Sequence, residues 1–397
     1  NVIAIQRGLV NPNRYIIMSG DIDSRVSDPN NYTSLSPGAN DNASGMAGVI
    51  EAARVLSKYK FDNSIIYVGL SGEEQGLYGG AGLANYAKKN NWEIIGILNN
   101  DMIGNIEGVD GVIDNLSFRI FSEPTPANES DVSIKRRRFY GGEVDGNSRQ
   151  LARYIHKTVS KYMPEMNPMM IYRLDRFGRG GHHRPFNDLG YAGVRIMEAH
   201  ENYNRQHQDI RTENSIEYGD VISGVNFKYA KKLTAVNAIN LASLGWSPKE
   251  PKNVKIGGAV KPSTKFKWEK PKNSKILGYK IYWRKTTSAY WENSRFVGDT
   301  NEFTLKGIVI DNFLSEDQWN WIQSNLSDYM NTEEFVENVH EPYKTSIGWI
   351  KDKLSSFDFF NEHWNTNLDS WSFINTLPPN IDRESSGTGY HLSLIHI

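Results

Sequence analysis

The chain reads as an α/β protein, a three-layer sandwich with a mostly parallel central sheet, followed by a partial all-β sandwich. Three observations predict this. Over residues 1–247, short apolar runs rich in β-branched residues alternate with stretches of helical periodicity. The strand candidates are almost continuously apolar, as strands covered on both faces are. From residue 251 the texture changes to alternating apolar and polar residues with Trp and Tyr inward, the pattern of half-buried antiparallel strands.

Taken in order, NVIAI, RYIIMSG, SIIYVGLSG, IIGILNND and AGVRIME are the strands. Between them, MAGVIEAARVLSKY, LYGGAGLANYAKKN, SRQLARYIHKTVSKY and VNFKYAKKLTAVNAINLASL carry an apolar stripe at helical spacing. The run KRRRF, Lys135 to Phe139, is expected to be a solvated loop. SPKEPKNVKIGG, after Ser247, is a linker, and residues 251–310 hold the β segment through TKFKWEKP, LGYKIYWRKT and NEFTLKGIVI. NFLSEDQWNWIQSNLSDYM then turns helical in pattern. Residues 311–397 do not continue the β segment and are left unassigned, as a chimeric tail. The chain opens at Asn1 without an initiator methionine and already in a strand, so an upstream stretch is expected to be missing.

Composition narrows the functional classes. The 397 residues carry 45 basic and 46 acidic groups, a net charge of -1, which gives no long-range field for nucleic acid or an anionic membrane. No apolar run approaches the roughly 20 residues that span a bilayer. There are no cysteines, so His, Asp and Glu are the strong metal ligands on offer.

Those ligands recur behind consecutive strands. Asp21 lies in MSGDIDS, Asp41 in PGANDNASG, Glu73 and Glu74 in SGEEQG, and Asp101 in LNNDMIGN. Two divalent ions about 3.5–4 Å apart need a bridging carboxylate, separate ligands for each ion, and a carboxylate base that stays off both. Asp41, in a small-residue loop before a helix, suits the bridge, although alone it would equally serve as a helix N-cap. On an extended segment Glu73 and Glu74 would point opposite ways, so Glu74 can ligate while Glu73 acts as general base. Asp101 would ligate from its strand tip. Among nine histidines, His207 in HENYNRQHQDIRTEN is the best imidazole ligand, with His182, His183 and His200 still in contention. His182 and His183, in GRGGHHRPF, could line the site as proton donors or oxyanion stabilisers, or His183 could pack on Phe186. Tyr203 is a further substrate-side candidate.

The order and spacing of GDIDS, PGANDNASG, GLSGEEQGLYG, NNDMIGN and a late histidine resembles the dizinc aminopeptidase family that also holds glutamate carboxypeptidases and glutaminyl cyclases, over about residues 1–245. That resemblance implies a zinc exopeptidase-like sandwich, two co-catalytic Zn²⁺ ions, peptide substrates and removal of N-terminal residues. By its motifs Asp41 bridges, Glu74, Asp101 and His207 are terminal ligands, and Glu73 is the base. The chain departs from the usual Gly-His-x-Asp-Ser at Gly20, Asp21, Ile22, Asp23 and Ser24. Asp21 therefore stands where a histidine ligand is expected, with Asp23 behind it. An extra carboxylate either shifts one position toward Mn²⁺ or Mg²⁺ or weakens it.

KWEKP and YKIYWR resemble part of a fibronectin type III domain. By association this implies a secreted or periplasmic protein attached to a surface through that segment. DNFLSEDQWNWI, with NTLPPNIDRESSGTGYH, resembles pieces of iron and 2-oxoglutarate dependent hydroxylases. His391 would be a ligand there, but Ser393 replaces its acidic companion. Three functions follow: an aminopeptidase; a carboxypeptidase or glutaminyl cyclase, with Arg173, Arg176, Arg179 and Arg184 reading a substrate carboxylate; or a silent binding module, if Asp21 cripples the metal site.

Overall fold

A computed structural model describes residues 1–257, 263–272, 276–285, 287–306 and 390–396. The chain divides into two compact units, Asn1–Pro248 and Lys249–Ile397.

In the first unit the strands are β1 (Val2–Gln6), β2 (Asn11–Asp21), β3 (Asn63–Leu70), β4 (Glu93–Asn100), β5 (Ser117–Ser122), β6 (Asn167–Ile171), β7 (Gly193–Glu198), β8 (Arg211–Glu213) and β9 (Ile216–Tyr218). The helices are α1 (Ala43–Leu56), α2 (Tyr78–Lys89), α3 (Asp131–Tyr140), α4 (Asn147–Tyr162), α5 (Arg184–Asp188) and α6 (Phe227–Gly245). Seven strands form one sheet in the order β1-β3-β2-β4-β7-β5-β6. Its four central strands, β3, β2, β4 and β7, are mutually parallel, while β1 and β5 join antiparallel.

Alternation along the strands builds the layers. Ile16, Met18, Ile65 and Leu98 pack with Val49 of α1, Leu151 and Ile155 of α4, and Leu233 and Val236 of α6. Ile17, Ile66, Val68 and Ile97 face the other way, onto Leu83, Ala84 and Ala87 of α2 and Phe186 of α5. Every residue of β3 is buried, and each such aliphatic side chain contributes about 1.5–3 kcal/mol. KRRRF is solvated but not a loop: it lies in the largely exposed α3, capped by Ser130, and Arg137 Nε donates to Glu129 Oε1 at 2.6 Å. The charge run reads as loop only because the cap and the acidic partner precede it.

The second unit holds β10 (Lys252–Gly257), β11 (Ser263–Glu269), β12 (Tyr279–Lys285), β13 (Asn293–Gly298), β14 (Glu302–Lys306) and β15 (Tyr390–His396). These form two three-stranded antiparallel sheets, β10-β11-β14 and β13-β12-β15. Phe266, Trp268, Tyr279, Ile281 and Leu305 make its core. β15 comes from the stretch left unassigned above, and His391 sits on it opposite Arg284. Residues 307–389, including the helical reading of NFLSEDQWNWIQSNLSDYM, lie outside the described residues. Among the described residues no helix is long and apolar enough to cross a membrane.

Candidate metal centre

The parallel strands bring their carboxyl ends to one rim, where open α/β sheets place ligands. Asp21 ends β2, and Asp101 directly follows β4. Asp41 precedes α1, whose N-cap is Asn42, accepting from Gly45 N at 3.2 Å. The capping role thus falls to the neighbour, and the Asp41 carboxylate is free to turn elsewhere. Asp220 fixes this loop: its Oδ1 accepts from Asn40 N at 2.8 Å and its Oδ2 from Asp41 N at 2.7 Å. α1 also approaches β4 closely, since a Cβ on Gly45 would lie 2.4 Å from Asn100 O. The Asp41–Asn42 and Asp101–Met102 peptides are both cis.

Glu73 and Glu74 do not sit on an extended segment. Gly76 N and Leu77 N both donate to Glu73 O, so the pair lies in a turn beyond β3. The turn aims Glu74 at His207, and the charges of Asp101, Glu74, Arg195 and Asp41 all act on Glu73.

One half of the site is built from Asp41, Glu74 and His207. His207 Nε2 lies 2.9 Å from Asp41 Oδ2 and 3.0 Å from Glu74 Oε1. Gln206 Nε2 donates to Asp41 Oδ2 at 3.1 Å, and Glu74 N donates to Asp23 Oδ2 at 3.2 Å. Behind the imidazole, Arg25 Nη2 and Arg179 Nη1 lie 2.8 and 3.0 Å from Nδ1, and Arg25 Nε is 3.1 Å from Glu74 Oε2. Burial works to raise Asp41, but the hydrogen bond and charge of His207 outweigh it and hold the carboxyl at about 2. Burial lowers His207, and its bonds to Asp41 and Glu74 overcome that and push it up to about 9. The ring thus stands between two carboxylates at Nε2 and two guanidinium groups at Nδ1.

The other half is drier. Asp21 Oδ2 accepts from Asn42 Nδ2 at 2.6 Å. Its Oδ1 and His182 Nε2 face each other at 3.5 Å, both buried and neither hydrogen bonded. His182 Nδ1 accepts from Gly80 N at 3.1 Å, so Nε2 carries the proton, and burial drives this ring's pKa down to about 3. Asp101 Oδ2 lies 3.0 Å from Arg195 Nη2. Burial, then repulsion from Asp101, Glu73 and Asp41, raises Asp21 well above the usual carboxylate range. Burial raises Glu73 to about 9, helped by Asp101 and Glu74 and opposed by Arg195. Burial likewise lifts Asp101 to about 7 against the pull of Arg195.

The remaining candidates separate clearly. His183 turns away, its Nε2 2.8 Å from Leu174 O and 3.7 Å from Asp175 Oδ2, and does not reach the carboxylates. His200 offers its carbonyl to Asn105 Nδ2. Tyr203 is 53% exposed. Of the expected basic pocket only Arg179 reaches the cluster. Arg176 pairs with Glu201 and Asp175, Arg173 lies over the Phe177 ring, and Arg184 donates to Arg179 O. Arg25, Gln206, Asp220 and above all Arg195 escaped sequence reasoning. For Arg195 a signal existed, since a charge in the middle of AGVRIME contradicts an otherwise apolar buried strand.

The donor set can be tested against a metal. Ligand atoms of Asp41, Glu74 and His207 all lie within 4.8 Å of one another, and a carboxylate and imidazole set of this kind suits zinc. Asp21 Oδ1, buried without a hydrogen bond, marks a second anionic position on the far side. The residues fit the ion.

A parallel α/β sheet that delivers clustered carboxylates and an imidazole to one rim defines the class of metal-dependent hydrolases. The chain belongs to peptidase family M28, whose model matches residues 1–221. It is 42% identical over 306 residues to a probable zinc metalloprotease of Leptosphaeria maculans, covering 77% of this chain and 71% of that one. A probable zinc metalloprotease of Pyrenophora tritici-repentis is 37% identical over 310 residues, 78% of this chain and 71% of its own length. The Legionella pneumophila LapA aminopeptidase structure superposes with a TM-score of 0.43 at 16% identity, covering 62% of this chain and 54% of that one.

Proposed function

We propose that the chain is a zinc-dependent exopeptidase that removes N-terminal residues from peptides. The observation that carries this is the convergence of Asp41, Glu74 and His207, with Glu73 in the same turn and Asp21 and Asp101 on neighbouring strand ends. Asp41 would bridge two ions, with Glu74 and His207 on one side and Asp21 and Asp101 on the other. Bound zinc would supply a polarised carbonyl and a water of lowered pKa. Burial and the neighbouring carboxylates keep the proton on Glu73 at neutral pH against the pull of Arg195, and divalent charge nearby would favour its ionised form. It would then take the proton of the attacking water and hand it to the leaving amine. The acidic rim would hold the substrate's free α-ammonium group.

Arg25 and Arg179 beside His207 favour a second reading, recognition of a substrate carboxylate, as in a carboxypeptidase or a glutaminyl cyclase. Aminoacyl-anilides and N-blocked peptides with free C-termini separate the two. Hydrolysis of the anilides alone, lost in Glu73→Gln with bound metal retained, supports the aminopeptidase. Turnover of blocked peptides alone would replace it. The second unit is read as a partial fibronectin-like module of a secreted enzyme, which secretion assays of the full chain would test.

A further inference from the structure

We propose that Arg195 makes the two cation positions unequal, so that the Asp21 and Asp101 position is the weaker, exchangeable one; this rests on the two-metal reading above. Arg195 is fully buried and has four acceptors besides the Asp101 carboxylate. Its Nε donates to Asp101 O at 2.6 Å, and its Nη1 meets Asp175 Oδ1 and Oδ2 at 3.2 and 3.1 Å and also Gly180 O. A guanidinium so held cannot swing into water. Any cation ligated by Asp101 must share that carboxylate with a fixed positive charge 3.0 Å away.

At the other position the counter-charges are movable. Arg25 keeps 21% of its side chain exposed and Arg179 is half-buried, so both can turn to solvent when an ion takes their place beside Glu74 and His207. The donors also differ. Asp41, Glu74 and His207 offer nitrogen and oxygen, whereas Asp21, Asp41 and Asp101 offer oxygen alone, which suits Mn²⁺ or Mg²⁺ relatively better. The aspartate in place of histidine and the arginine inside β7 thus form one device. Asp21 adds a negative charge to this half, and Arg195 offsets it.

The test is calorimetric titration of the metal-stripped full chain with Zn²⁺ and, separately, Mn²⁺, with bound metal measured by mass spectrometry. The expected result is two classes of site whose affinities differ about 10–100-fold. Asp101→Asn should abolish the weak class and leave the tight one, and Arg195→Gln should tighten the weak class about tenfold. Should Arg195→Gln fail to fold, Asp175→Asn serves instead: Arg195 then pairs more fully with Asp101, and the weak class weakens further. Two equal classes, or a weak class indifferent to both substitutions, overturns the inference alone. A capacity of one equivalent at saturation removes the two-metal reading as well.

Discussion

The two halves of the rim hold similar carboxylates and differ in what neutralises them. Around Asp41 and Glu74, positive charge comes from His207, Arg25 and Arg179, on side chains that reach the surface. Around Asp101 it comes from Arg195, which is sealed in the sheet. The first half balances easily: Asp41 sits at about 2 and His207 at about 9, both charged at neutral pH. The second does not, for Glu73 is lifted to about 9 and Asp101 to about 7 despite the arginine. Burial decides whether a counter-charge can be exchanged for an ion.

The largest expected effect falls between the halves. Glu73→Gln should lower kcat by about 10²–10⁴-fold with metal content unchanged; an unchanged kcat in peptide assays would show that the proton is carried elsewhere. Next, Arg195→Gln leaves Asp101 buried without its ion-pair partner and Asp175 with Arg176, and should cost about 3–5 kcal/mol of stability in chemical denaturation. A loss under 1 kcal/mol would mean the sealed half has another way to neutralise itself.

A pH series sharpens the same contrast. Glu73, Asp101 and His207 have folded pKa values raised to about 9, about 7 and about 9, so each binds its proton more tightly folded than unfolded. Their contribution is complete below the unfolded pKa values and is lost as pH rises to about 9. Asp41 runs oppositely, its contribution being present above the unfolded value and lost as pH falls through about 2. Metal-stripped chain should therefore become easier to denature between about pH 5 and about pH 9, and reloading with zinc should flatten the profile. A flat profile without metal would contradict the protonation scheme. The smallest effect is Arg25→Gln, where partial exposure limits the loss to about 0–1 kcal/mol by the same denaturation assay.

Much of the first unit was legible because its central strands are continuous apolar runs: SIIYVGL is buried at every residue, and such runs admit few alternatives. SFRIFS and NPMMI, which form β5 and β6, are short and pattern weakly, and only their pairing in the sheet reveals them. α3 was hidden by its own arginines. At the rim, Asp21, Glu73, Glu74 and Asp101 could be read because they end or follow a strand, and Asp41 because it sits in a small-residue loop before a helix. The pairing of Arg195 with Asp101 and the contact of Asp220 with the Asp41 loop could not, since each joins segments far apart in sequence and only folding brings them together. The paired glutamates show a wrong local picture: a turn, not an extended backbone, carries them.

The cradle that Asp220 makes for the backbone of Asn40 and Asp41 sets an order of events during synthesis. The acidic ligands, Asp21 to Asp101, leave the ribosome before the imidazole and the cradle, which arrive some hundred residues later. A nascent or prematurely terminated chain therefore carries the negative rim without its organiser, and the centre closes only once nearly the entire first unit has been translated.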